Sequence, residues 1–271
     1  MSRRTLLWTT ALIATLGIVV GVPGAMVAQM PTPSNEQSAE VEEAKRLVQQ
    51  VTQLYQQGKY AEAIPLAQRA LAIFEEALGS EHPLVVASLH SLARLYSENS
   101  NYSQAEPLYR RSLAILEKLA GSEHPLVATN LNNLAALYQE MGNYAQALPL
   151  YQRSLDISEK VHGFEHPNVA TSLNNLAALY RQMGNYAQAE PLYQRSLAIY
   201  EKALSSEHPN VATSLNNLAA LYRQMGNYAQ AEPLYQRSLA IREKTLGSEH
   251  SGVASSLNNL AEMYRQMGNY A

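Results

Sequence analysis

Five histidines, His82, His124, His166, His208 and His250, recur every 42 residues, and each follows a glutamate. Imidazoles at a fixed interval suggest two kinds of chemistry: a ladder of metal ligands, or acid-base couples built from each Glu-His pair. The spacing favours neither. Equivalent atoms in stacked helical units sit about 8–10 Å apart, too far to share one ion. No third group recurs beside the Glu-His pair to orient a base. The residue that follows gives a plainer account. In His-Pro-Asn-Val-Ala the proline suits the first position of a helix and pushes the residue before it out of the α region, which is the geometry of an N-cap. The histidines read as helix starts, and no catalytic, cofactor or metal role is assigned to any residue.

Other reactive constellations are missing from the chain. It has no glycine-rich phosphate loop, no His-Glu-x-x-His and no Gly-x-Ser-x-Gly. Without cysteine it forms no disulfide, thiolate metal site or thiol nucleophile. A single sequon, Asn101-Tyr102-Ser103, places its asparagine where a helix cap is expected. With 46% hydrophobic and 16% charged residues the 271-residue chain has ample material for a core, and its net charge of -3 argues against a nucleic-acid binder. An enzyme is not expected.

The histidine interval is the period of the whole chain. Residues 168–209 and 210–251 agree at 38 of 42 positions, differing only at Tyr200/Arg242, Ala203/Thr245, Ser205/Gly247 and Pro209/Ser251. Looser copies begin at Leu84 and Leu126, a still looser one covers about 41–83, and a last block starts at Gly252. A period of this length describes a supersecondary unit too small to bury its own apolar face, so the fold comes from stacking neighbours. The array is assigned to 41–271, about five and a half repeats, with boundaries near 83, 125, 167, 209 and 251.

The N-terminus differs in kind. Arg3 and Arg4 precede an apolar run from Leu6 to Val20 and a Gly21-Val22-Pro23-Gly24 breaker, the pattern of a secretory signal ending near Ala28. The expectation for 1–28 is therefore export to the periplasm or the exterior, with anchoring in a membrane by 6–28 as the alternative. Trp8, the one tryptophan, lies in this segment. Residues 29–40, with Pro31 and Pro33, read as a polar linker, and Ser34 with Gln37 as a capping box that opens the first helix.

Within a repeat the apolar period is helical twice over. Val169, Leu173, Leu176, Ala177 and Tyr180 share one face, as do Tyr186, Ala189, Tyr193, Leu197 and Tyr200. Gly184-Asn185 between them supplies a C-cap glycine and an N-cap asparagine. Each repeat is then an antiparallel helix pair, with Pro65, Pro107, Pro149, Pro191 or Pro233 inside its second helix, where a mild bend is expected. At about 100° per residue, Thr171, Asn174, Asn175, Ala178, Arg181 and Gln182 form one polar strip beside the apolar stripe of the first helix. Paired asparagines in mid-helix are poor helix formers and are expected to add nothing to a core, so their recurrence points to binding.

Leu-Asn-Asn-Leu-Ala-Ala-Leu-Tyr, Gly-Asn-Tyr-Ala-Gln-Ala-Glu-Pro-Leu-Tyr and Gly-Ser-Glu-His-Pro resemble tetratricopeptide repeats of the 42-residue kind found in kinesin light chains and bacterial relatives. The resemblance covers nearly all of 41–271. The family's small first-helix residue corresponds to Ala135, Ala177 and Ala219, its tyrosine to Tyr138, Tyr180 and Tyr222, and its second-helix alanine to Ala147, Ala189 and Ala231. It implies an all-α, right-handed α-solenoid whose concave groove holds peptide segments of partners. It also places the eight residues beyond the common 34 at the end of the second helix.

The implied groove residues are Asn132, Asn133, Asn174, Asn175, Asn216, Asn217, Asn258 and Asn259, joined by Arg181, Arg223 and Arg265. A repeat step of about 10 Å matches about three residues of extended peptide, so amides could meet a ligand backbone at regular intervals. The arginines would favour acidic side chains, most in the last three repeats, because Glu98 and Glu140 oppose them nearer the start. His90, Ser91 and Arg94 depart from the pattern, and the first block, with Gln49 and Gln50, is not expected to bind. The leading expectation is a non-enzymatic scaffold. The alternatives are a self-assembling solenoid, joined through Leu257, Leu260, Ala261 and Tyr264 of an uncapped last helix, and the repeat portion of a longer signalling protein.

Overall fold

Proline, glycine and asparagine punctuate the chain, and the helices follow that punctuation. The computed structural model describes residues 35–268. The readings made for 1–34, signal, anchor and most of the linker, lie outside the described residues. Among those described there are helices α1 (Asn35–Gln56), α2 (Tyr60–Leu78), α3 (Pro83–Glu98), α4 (Tyr102–Ala120), α5 (Pro125–Glu140), α6 (Tyr144–His162), α7 (Pro167–Gln182), α8 (Tyr186–Ala203), α9 (Pro209–Gln224), α10 (Tyr228–Leu246) and α11 (Ser251–Gln266), and no strand. Because α1 begins at Asn35, residues 35–40 are helical rather than linker. Two compact units divide at Leu150/Tyr151, within α6.

Each first helix from α3 on has 16 residues, while the second helices have 18 or 19. The turn inside a repeat is a Schellman motif. Asn185 N–H donates to the Tyr180 carbonyl (2.8 Å) and Gly184 N–H to that of Arg181 (3.1 Å), with Gly184 at φ 78°. Between α3 and α4 the left-handed position is held by Ser100 at φ 60°, the one such residue that is not glycine among the described residues. The asparagine that follows does not cap with its side chain. Asn101, Asn185 and Asn227 occupy the N-cap position, but with ψ of 60–70° rather than extended, and their side chains make no cap bond. Asn101 Oδ1 instead accepts from Ser103 Oγ at 3.0 Å. The helices run continuously through Pro65, Pro107, Pro191 and Pro233.

In the unit from Tyr151 on, the stripes meet as expected and are wider than the sequence pattern suggests. Val169, Leu173, Leu215 and Val211 are fully buried with Ile199 and Ile241 in one cluster; Ala177, Ala189, Tyr193, Ala219 and Tyr235 form another. Ala170 and Leu179, outside the expected face, are also at 0% exposure. The small residues let helix axes approach closely. Buried serines then tie each pair together: Ser196 Oγ donates to the Ala170 carbonyl and Ser238 Oγ to that of Ala212, both at 2.7 Å. In the unit ending at Leu150, Ser112 makes the same bond to Val86 at 3.4 Å.

Candidate functional site

In three of the five Glu-His pairs the glutamate bonds a lysine of the following second helix, while the histidine caps the first helix. Lys202 pairs with Glu165 at 2.5 Å and Lys244 with Glu207 at 2.6 Å, and Lys118 pairs with Glu81; each lysine lies at the end of the next second helix. These ion pairs are exposed and contribute little individually. The ring itself, not only its position, caps the helix. Nδ1 accepts from the backbone N–H two residues on: Leu84 to His82 (3.1 Å), Leu126 to His124 (3.3 Å), Asn168 to His166 (3.1 Å), Asn210 to His208 (3.1 Å) and Gly252 to His250 (2.9 Å). A capping Nδ1 puts the proton of the neutral ring on Nε2, so neither nitrogen keeps a lone pair for a metal.

On the first helices the asparagine strip does two things. In the unit from Tyr151 on, Asn217 Nδ2 donates to Asn174 Oδ1 (3.2 Å) and Asn259 Nδ2 to Asn216 Oδ1 (2.9 Å). The second amide of each pair thus reaches back to the first amide of the preceding repeat. This corrects the expectation that the asparagines do nothing for packing, since they clamp successive first helices in one register. Asn174 is buried, Asn175, Asn216, Asn217 and Asn259 are half-buried, and Asn258 is exposed. In the other unit Asn133 is buried and Asn132 half-buried, and the acceptor is a histidine: Asn133 Nδ2 donates to His90 Nε2 at 2.6 Å.

His90 heads a buried network that the sequence marked only as a departure. Its ring lies edge-on to Tyr109, with centroids 5.5 Å apart. Arg94 Nη2 donates to the Tyr55 hydroxyl (2.8 Å), and the guanidinium lies 4.8 Å above the Tyr55 ring; Tyr55 donates in turn to Glu98 at 3.2 Å. Burial drives His90 down to about 3, helped by the Arg94 charge, and pushes Tyr55 up to about 12. Glu98, expected to oppose acidic ligands, is drawn into this network.

The three arginines of the strip are not equivalent. Arg265 is exposed and already neutralised: its Nε and Nη2 donate to Glu262 at 2.8 and 2.6 Å, and Gln266 adds a bond at 2.8 Å. These bonds, with the charge of Arg223 beyond them, hold the Glu262 carboxyl down at about 2. Arg265, read from the sequence as a groove arginine, thus holds a carboxylate of its own helix in an exposed pair. Arg181 and Arg223 are half-buried; Nε of each and Nη1 of Arg223 are buried without an acceptor. The Arg181 guanidinium lies near the fully buried Tyr193 hydroxyl without forming a well-shaped hydrogen bond. No cluster of three metal-ligating side chains occurs among the described residues.

The model of the tetratricopeptide repeat family matches residues 42–118, 126–202, 170–244 and 210–271. The chain belongs to the tetratricopeptide-repeat family. Its helix pairs, Schellman turns and buried Ala135, Ala177 and Ala219 are those of tetratricopeptide repeats, and the fold class is an all-α solenoid. The crystal structure of a Podosopora anserina putative kinesin light chain with nearly identical TPR-like repeats is similar at 33% identity and a TM-score of 0.61, covering 78% of this chain and 97% of that one. BtubC (BKLC) from P. vanneervenii is similar at 26% identity and a TM-score of 0.64, covering 78% and 90%. Aspartyl phosphate phosphatase F from Bacillus subtilis shares the fold at 12% identity and a TM-score of 0.68, over 87% of this chain and 68% of that one. Among curated proteins none matches. Tetratricopeptide folds are commonly protein-interaction scaffolds, which leaves the partner and the binding face to be inferred from the side chains.

Proposed function

We propose that this tetratricopeptide-repeat protein is a non-enzymatic adaptor that holds an extended segment of a partner protein on the face formed by α7, α9 and α11. The observation that carries the reading is the register. The two inter-repeat amide bonds are both 43 residues in span, so they set the three first helices side by side with the same polar strip on each. Asn175, Ala178, Asn217 and Ala220 remain partly exposed on that strip. A periodic row of amides and small residues suits a peptide backbone, whose own groups recur at a fixed rise.

A photo-reactive amino acid at Ala178 or Ala220 is expected to cross-link a partner, and one at the exposed Ala198 of α8 is not. Equal yield from all three positions would refute the face assignment. Because Asn174 and Asn216 are clamps, replacing them with alanine would weaken packing as well as binding, and the alanine positions give the cleaner test.

A second reading is self-association through α11. Leu257 is 48% exposed, although Leu173 and Leu215 at the same repeat position are fully buried, and Leu260 and Tyr264 are half-exposed beside it. Sedimentation velocity over a hundredfold range of concentration should then show a rising mass that Leu257→Lys abolishes. A constant monomer mass excludes it.

A further inference from the structure

Two departures from the repeat meet in the unit ending at Leu150. The position of His90 carries asparagine in the later repeats, at Asn132, Asn174, Asn216 and Asn258, and that of Asn130 carries serine, at Ser88, Ser172, Ser214 and Ser256. Both side chains are buried, His90 to 7% exposure and Asn130 to 1%. They line one cavity of about 20 Å³, whose walls come from α3, α4 and α5.

The hydrogen bonds around the cavity fix what each group can still do. His90 Nε2 accepts from Asn133 Nδ2 at 2.6 Å, which puts the proton of the neutral ring on Nδ1. Ser112 Oγ donates to the Val86 carbonyl (3.4 Å) and accepts from Asn130 Nδ2 (2.7 Å), so the amide of Asn130 is oriented with Oδ1 as its open acceptor. His90 Nδ1 and Asn130 Oδ1 are therefore one donor and one acceptor, both buried and neither with a protein partner. Each alone would bear the full cost of its desolvation.

We propose that this cavity is a binding site for one water molecule, which accepts from His90 Nδ1–H and donates to Asn130 Oδ1. Size and chemistry agree on that occupant. Roughly 10–15 Å³ is enough for one water, and the cavity is too small for an organic ligand. Val86 and Leu116 supply aliphatic wall, so the imidazole and the amide set how the water is held. The lining passes from these buried residues to half-buried Leu126 and exposed Thr129, which connect the site with solvent. The water ties α3 to α5 at a second point, one helical turn from the Asn133–His90 bond. Two residues that would each be a defect alone thus complete one another, and this block is the one that carries both.

The unaltered full chain serves for the test. A high-resolution crystal structure should show one oxygen within about 3 Å of both His90 Nδ1 and Asn130 Oδ1. A cavity without density, or a direct bond between the two side chains, overturns the site. In solution, nitrogen NMR at pH 7 should place the proton of the neutral His90 ring on Nδ1. That proton should give a cross-peak with water that reverses sign between nuclear Overhauser spectra in the laboratory and rotating frames, the mark of a bound molecule rather than of proton exchange. A ring proton on Nε2, or a cross-peak that keeps its sign, would equally defeat the proposal.

Discussion

Lowering the pH from 7 to 5 is expected to remove about 2 kcal/mol of stability from the unit ending at Leu150, and His90→Asn to flatten that slope. The sign follows from linkage. His90 is held neutral in the fold, down at about 3 against an unfolded value of 6.5. Its contribution is therefore complete above pH 6.5 and is lost as pH falls toward 3, reaching on the order of 4–5 kcal/mol. The structure supplies the mechanism. The charged ring cannot accept from Asn133, and it faces Arg94 of its own helix and Tyr109 of α4.

His82, lowered by its partial burial, adds to the loss in the same direction, because its cap also needs a neutral ring. Carboxylates enter later. Glu106 is held low by the Tyr138 hydroxyl and Arg110, so its stabilisation is lost only as pH falls below the ordinary glutamate value of 4.5. The window from 7 to 5 thus isolates the histidines. Asparagine is the informative replacement, since an amide already bonds an amide at the equivalent Asn174–Asn217 position. Urea unfolding at pH 7, 6 and 5, paired with amide exchange in α3 and α5, would read the slope without assuming that the repeats melt together. A His90→Asn protein with the parent's slope would refute the account.

The second large effect compares one residue type at one repeat position. Leu215→Ala is expected to cost roughly 2–5 kcal/mol and Leu257→Ala under about 1 kcal/mol. Both leucines stand six residues into their first helices, so helix propensity and local sequence are nearly the same. Leu215 is fully buried among Leu173, Val211 and Ile241, and truncating it leaves a cavity that close-packed neighbours cannot collapse. Leu257 is half-exposed and has little packing to lose. Denaturant midpoints of the two variants would measure the difference, and equal losses would mean that stacking between repeats is not what stabilises these helices.

The helix starts were legible because their causes are local. Proline at a first position and histidine before it set Pro83, Pro125, Pro167 and Pro209, and positive-φ glycines close the first helices of most repeats. The apolar faces were legible from period alone. The pairings were not, because they join residues separated by one repeat or nearly so, and a periodic sequence shows that a position recurs without showing what it touches. Glu165 with Lys202, Asn174 with Asn217 and Glu190 with Tyr222 are all of that kind.

The sequence by itself determined that this is a tetratricopeptide array, where the helices of the later repeats begin, and which face of each is apolar, since dihedral preference and periodicity are properties of short segments. Only the tertiary structure decided which polar groups remain available. It turned the asparagines from an open ladder into clamps, neutralised Arg265 with Glu262, and buried Arg242 against Ser256 where the neighbouring repeat has Tyr200. Availability depends on what the next repeat places opposite each residue, and stacking alone sets that.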